Sequence, residues 1–193
     1  MKQDIIIAGV GGQGILTIAA VIGAAAIRKG LHVKQSEVHG MAQRGGSVVT
    51  HLRLSAAPIP SDLIPRGGAS LVLAMEPMEG LRYLPLAQPD AMFIANRNPV
   101  RNIPDYPAIE ALLARIAAWP RRLAVDADQL AKEAGTARAA NSVMLGAASA
   151  YLALPQAELR AGVAQFFAAK GPEVVEKNLK AFDLGRAAAE QGW

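Results

Sequence analysis

Ile5-Ile6-Ile7-Ala8 runs straight into Gly9-Val10-Gly11-Gly12-Gln13-Gly14, and the stretch that follows, Ile15 to Lys29, is rich in Ala and Ile and charged only at its end. A short β-branched run that stops at glycine is the pattern of a strand buried on both faces. The Ala-rich stretch reads as a helix ended by Gly30, a residue suited to the left-handed helix terminus. Strand, glycine turn and helix in that order leave few folds open, because they are the first half of a βαβ unit and so of a largely parallel sheet.

Leu31-His32-Val33-Lys34-Gln35 is expected to complete that unit as the second strand, with Ser36 to Gly46 as a loop behind it. Further strands are expected at 47–54, 70–75, 91–95 and 123–126, helices at 78–86 and 109–118, and proline-containing loops at 56–68 and 96–107. From Ala127 the pattern turns helical, in segments at 127–134, 139–152, 156–169 and 172–190. The last of these begins at Pro172, a residue suited to a first helical turn. This alternation implies a Rossmann-like, doubly wound, mostly parallel α/β sheet with helices on both faces and a helical C-terminal third. A length of 193 residues suits one domain, 1–193.

Composition removes several classes of function. Lys and Arg are scattered without a dense basic run or interleaved aromatics, so the net charge of +4 gives nucleic-acid binding little support. Cysteine is absent, which excludes disulfides, a cysteine nucleophile and cysteine-ligated iron–sulfur clusters in this chain. The N-terminus lacks the layout of a signal peptide, and the longest apolar run, Ile15 to Ile27, is short of the roughly 20 residues that span a bilayer. A cytoplasmic protein with no membrane partner is expected.

Two segments are candidates for chemistry. Gly9-x-Gly11-x-x-Gly14 has the dinucleotide spacing in the place such a turn must occupy, where glycine allows the tight bend and helix-start N–H groups face an anion. Gly12-Gln13 and the setting of Glu37, the one acidic residue near the end of the second strand, pull away from NAD or FAD. Packing glycines, a different anionic ligand and a contact with another chain all stay open. The second segment is Ser36 to Gly46, which brings Glu37, His39, Met41, Gln43, Arg44, Gly45 and Gly46 to the carboxyl edge of the sheet, where ligands of such folds bind. Arg44 has the planar fork that clamps carboxylate or phosphate. His32 and His51 fall inside strands and read as structural, as do Asn141 and Ser142, taken as helix caps. No histidine pair has metal-ligand spacing, and no catalytic residue is assigned.

Together the Gly9–Gly14 and Glu37–Gly46 segments resemble the gamma-type domain of 2-oxoacid:ferredoxin oxidoreductases. The form His39-Gly40-Met41-Ala42-Gln43-Arg44-Gly45-Gly46-Ser47-Val48 is most similar to the indolepyruvate type, and Ala140 to Ala147 and Val175 to Phe182 also match it. The likeness spans essentially the whole chain. It implies a subunit silent by itself, with coenzyme A as co-substrate and ferredoxin as electron acceptor through the complex. Thiamine diphosphate and iron–sulfur clusters would then be held by a large partner subunit. Gamma subunits of pyruvate, 2-oxoglutarate or branched-chain 2-oxoacid oxidoreductases, and a stand-alone NAD(P)-binding dehydrogenase, are the alternatives.

Overall fold

The computed structural model describes residues 1–40 and 45–191, and its six strands form one sheet in the order β2-β3-β1-β4-β5-β6. They are β1 (Lys2–Val10), β2 (His32–His39), β3 (Ser47–Ser55), β4 (Ala69–Ala74), β5 (Ala87–Asn96) and β6 (Arg121–Val125). The helices are α1 (Ile15–Arg28), α2 (Pro77–Arg82), α3 (Ile109–Ala117), α4 (Ala127–Glu133), α5 (Ala140–Ala148), α6 (Gln156–Phe167) and α7 (Pro172–Gln191). Ile5 and Ile7 face a core built with α1, α4, α5, α6 and α7, while Ile6 and Ala8 face a smaller one closed by α3 and by Leu81 of α2. The doubly wound α/β architecture expected from the sequence is therefore present.

β2 runs parallel to β1 in the same sheet, as expected of a βαβ unit, but the strand order was not foreseen: β3 sits between them, antiparallel to both, while β1, β4, β5 and β6 run parallel. The physical reason is visible in the side chains. β3 presents Val48, Val49, Leu52 and Leu54 to the interior, so it gains most from a central place. β2 exposes His32, Lys34, Gln35, Glu37 and His39, the composition that suits an edge. Pairing with β3 also carries β2 on to His39, four residues past its expected end, which shortens the loop foreseen at 36–46. The helix foreseen at 78–86 ends at Arg82 and gives way to a 3₁₀ turn at Leu84–Leu86, where Pro85 disfavours α geometry in the residue before it.

Two buried arrangements hold the outer parts in place. Arg53 on β3 grips Asp4 on β1 through Nε and Nη2 at 2.8 and 3.1 Å, and its Nη1 donates to the carbonyls of Ser61 and Leu63. The fork thus fastens the 56–68 loop to the amino end of the sheet. At the other end of the sequence α5 and α7 cross so closely that a Cβ on Gly146 would stand 2.0 Å from the carbonyl oxygen of Phe182, and one on Gly185 would stand 1.9 Å from that of Val143. Ser142, expected as a cap, instead donates to Asn178 across this contact at 2.7 Å, and α5 has no side-chain cap.

His51 gives the fold a pH dependence. Its Nδ1 accepts from the Ile64 N–H at 3.0 Å, and burial holds its pKa below 6.5, with Arg53 adding to and Asp62 opposing the effect. The folded state then binds fewer protons than the unfolded one near that pH. This contribution to stability is complete above pH 6.5 and is lost as pH falls below it. Denaturant melts from pH 7.5 to 5 should show a falling midpoint for the wild type and a flatter line for His51→Gln; equal slopes would refute the assignment.

Candidate functional site

β1, β4, β5 and β6 all end at one edge of the sheet, and β3 begins there. The glycine turn leaves β1 at this edge and enters α1 through Gly14, whose φ of 79° lies in the left-handed region. A Cβ at Gly14 would also stand 2.5 Å from Nδ2 of Asn141, so both conformation and space require glycine. Asn141, expected as a cap, thus packs over the turn.

Within the turn some groups are committed and others are open. Gln13 points inward: its Oε1 accepts from the Val10 N–H at 2.7 Å and its Nε2 donates to the Met75 carbonyl at 3.0 Å, which ties the ends of β1 and β4 together. Gly9 lies beneath that side chain, against Met75. The Gly11 N–H donates to Gly46 at 2.9 Å, and Asn102 donates to the Gly45 carbonyl at 2.7 Å. The end of the second segment is therefore clamped onto the turn. The N–H groups of Gly12, Gly14, Ile15, Leu16 and Thr17 make no hydrogen bond among the described residues.

The open N–H groups of Gly12, Gly14, Ile15 and Leu16 border a cavity of about 530 Å³, lined by Val10, Gly11, Gly12, Gly14, Ile15, Leu16, His39 and Val48. No Lys or Arg is among its described lining residues, so what these residues offer an anion is backbone N–H groups at the start of α1. Leu16, 41% exposed, forms one apolar wall. His39 reaches the rim from the edge strand, with Nε2 held 3.0 Å from Oε1 of Glu37 and Gln35 adding a longer contact to the same carboxylate. Glu37 thus faces His39 and stands two strand spacings, roughly 10 Å, from β1. Met41, Gln43 and Arg44 lie outside the described residues.

Sequence reasoning missed the buried acids behind this edge. Glu79 is 1% exposed, accepts from Ser47 Oγ at 2.6 Å and pairs with Arg82, so it fixes the residue that follows Gly46. Glu76, fully buried, caps α2 through the Glu79 N–H at 2.8 Å and accepts from Tyr106. Burial and then this carboxylate push the Tyr106 pKa up. The one available signal was Glu76-Pro77, an acidic residue before a proline at a strand exit. Ser47, Asn102 and Tyr106 come from remote segments and gave none. Among the described residues no group of three His, Asp or Glu could hold a metal ion.

Residues 4–188 match the family described as Pyruvate ferredoxin/flavodoxin oxidoreductase. The chain is 35% identical over 201 residues to an indolepyruvate oxidoreductase subunit IorB of Archaeoglobus fulgidus, covering 100% of this chain and 98% of that one. It is 37% identical over 202 residues to the subunit of the same name from Pyrococcus horikoshii, covering 99% and 98%. Among solved structures it is similar to 2-oxoglutarate:ferredoxin oxidoreductase from Magnetococcus marinus with 2-oxoglutarate, coenzyme A and succinyl-CoA bound. That match has a TM-score of 0.80 at 25% identity and covers 98% of this chain and 31% of the larger one.

Proposed function

The chain belongs to the pyruvate ferredoxin/flavodoxin oxidoreductase family, and from that premise we propose that it is the small, cluster-free subunit of an indolepyruvate-type 2-oxoacid:ferredoxin oxidoreductase. In this reading residues 1–193 act as one gamma-type domain, and the glycine-turn cavity holds coenzyme A against the active centre of a large partner. The assembled enzyme converts an aryl 2-oxo acid, coenzyme A and oxidised ferredoxin into acyl-CoA, carbon dioxide and reduced ferredoxin. Full-length likeness to two subunits named for indolepyruvate supports that acid over pyruvate, 2-oxoglutarate or a branched-chain acid.

The observation that carries the proposal is the cavity itself. Its unpaired N–H groups at Gly12, Gly14, Ile15 and Leu16 suit the anionic part of coenzyme A, and Val10, Leu16 and Val48 suit its carbon-rich arm. Coenzyme A supplies the thiol that accepts the acyl group. The residues of this chain orient it and shield one side from water. With no cysteine here, cluster ligands must come from the partner, which also carries thiamine diphosphate in this proposal. No helix among the described residues is long and apolar enough to cross a membrane, in keeping with a cytoplasmic enzyme.

Strand order counts against a stand-alone dehydrogenase. In dinucleotide-binding folds the strand beside β1 ends in the acid that takes the ribose. Here β3 occupies that place and runs the other way, and Glu37 faces His39 on the edge strand.

Leu16→Glu tests the assignment, because it sets a carboxylate among the open N–H groups without touching the core. In the complex purified with its thiamine-dependent partner, KM for coenzyme A should rise at least about tenfold, the equivalent of roughly 1.4 kcal/mol. KM for indolepyruvate and the yield of complex should hold. An unchanged KM for coenzyme A, or saturable NAD(P) binding by the isolated chain, would overturn the proposal.

A further inference from the structure

A second cavity, of about 390 Å³, lies on the other side of the first turn of α1, with Thr17 in its wall where Leu16 borders the first. Its lining is polar. Among the described residues Arg138, Lys170 and Lys177 meet there against a single carboxylate, Glu173, which holds Lys177 at 2.5 Å. The Arg138 guanidinium has no acceptor among the described residues, and the Lys170 ammonium meets only the ring of Phe167, 5.3 Å from its centre. Two cations are therefore left without a counter-charge around one hollow.

Backbone donors reach the same place, and a nearly buried amide side chain lines it. The Glu173 and Val174 N–H groups in the first turn of α7 are unpaired among the described residues, and α7 is 20 residues long, so its dipole adds to the positive end. Asn141 also lines the cavity. It is only 7% exposed, its Oδ1 takes the Ser142 N–H, and its Nδ2 donor has no acceptor among the described residues. A nearly buried amide donor, two uncompensated cations and a helix start around one polar cavity are the parts of an oxyanion site.

We propose that this cavity binds a phosphate group, with Arg138 and Lys170 as its main cationic partners and Asn141 as the buried donor. The site does not rest on the reading of the first cavity. Because Asn141 also packs on Gly14, an anion here would brace the C-terminal helices against the glycine turn.

Inorganic phosphate titrated calorimetrically into the full chain, at constant ionic strength with chloride as the reference, should show one saturable site. Arg138→Gln and Lys170→Met should each weaken it about tenfold, and the double variant about a hundredfold. Both side chains are exposed, so circular dichroism and melting without phosphate should stay at the wild-type values. Excess coenzyme A identifies the source: displacement of phosphate assigns the site to a phosphate of that molecule and retention to a separate small anion, and either result upholds the site. Absence of saturable binding by the wild type, or wild-type binding by the double variant, overturns it.

Discussion

Gly185→Ala should destabilise the protein by about 3 kcal/mol or more, although the same exchange in an open helix stabilises by about 1 kcal/mol. The sign is reversed by one contact. A Cβ at position 185 would stand 1.9 Å from the Val143 carbonyl oxygen, a backbone atom that no rotamer change can move. Gly146 meets the Phe182 carbonyl in the same way from the facing helix, so relief requires α5 and α7 to separate and expose Phe182 and Met144, both fully buried. Gly23 is the matched control: in α1 a Cβ there would meet Val33 at 3.6 Å, ordinary contact. Gly23→Ala should be neutral or stabilise by up to about 1 kcal/mol. Chemical denaturation of the two variants measures both, and equal effects would show that the α5–α7 crossing yields easily.

The second large effect is expected at the amino end of β1. Asp4→Ala should cost about 3–5 kcal/mol, because it leaves the Arg53 guanidinium buried beside β1 without its carboxylate. The size of that loss reflects the orphaned charge more than the worth of the pair. Replacing both partners, as Asp4→Leu with Arg53→Met, should recover most of it. A residual deficit is expected, because Arg53 also holds the carbonyls of Ser61 and Leu63 and these lose their donor. A double variant no better than Asp4→Ala would mean that fastening the 56–68 loop, rather than charge compensation, sets the cost.

The α/β class was legible because β-branched runs and Ala-rich segments have distinct periods, and Ile5 to Gly30 displays both in sequence. Strand order was not, since periodicity says whether a strand is buried but not beside which neighbour. A closer reading of side chains would have helped: Lys34, Gln35 and Glu37 belong on an edge, and Val48, Val49, Leu52 and Leu54 in the middle. At the site, Gly11, Gly12, Gly14 and His39 meet around one cavity, and these were all named from the sequence. The inward turn of Gln13 was not legible, because it depends on the Met75 carbonyl 62 positions away. The braces from Glu79 to Ser47 and from Tyr106 to Glu76 were hidden for the same reason, since they link segments with no shared local pattern. The resemblance read from the two motifs agrees with the family match over residues 4–188.

The contact of Asn141 with Gly14 bears on the order in which the chain becomes competent during synthesis. Every described residue lining the glycine-turn cavity lies between Val10 and Val48, so these leave the ribosome before the C-terminal helices do. The turn is nonetheless set by Asn141, and β1 is stitched at Gln3 to the carbonyl of Tyr151 and the N–H of Ala153. A nascent chain that ends before its last third carries the cavity's residues without the parts that fix their shape. The residues made first are shaped last, so the cavity takes its final form only once these C-terminal segments have been made.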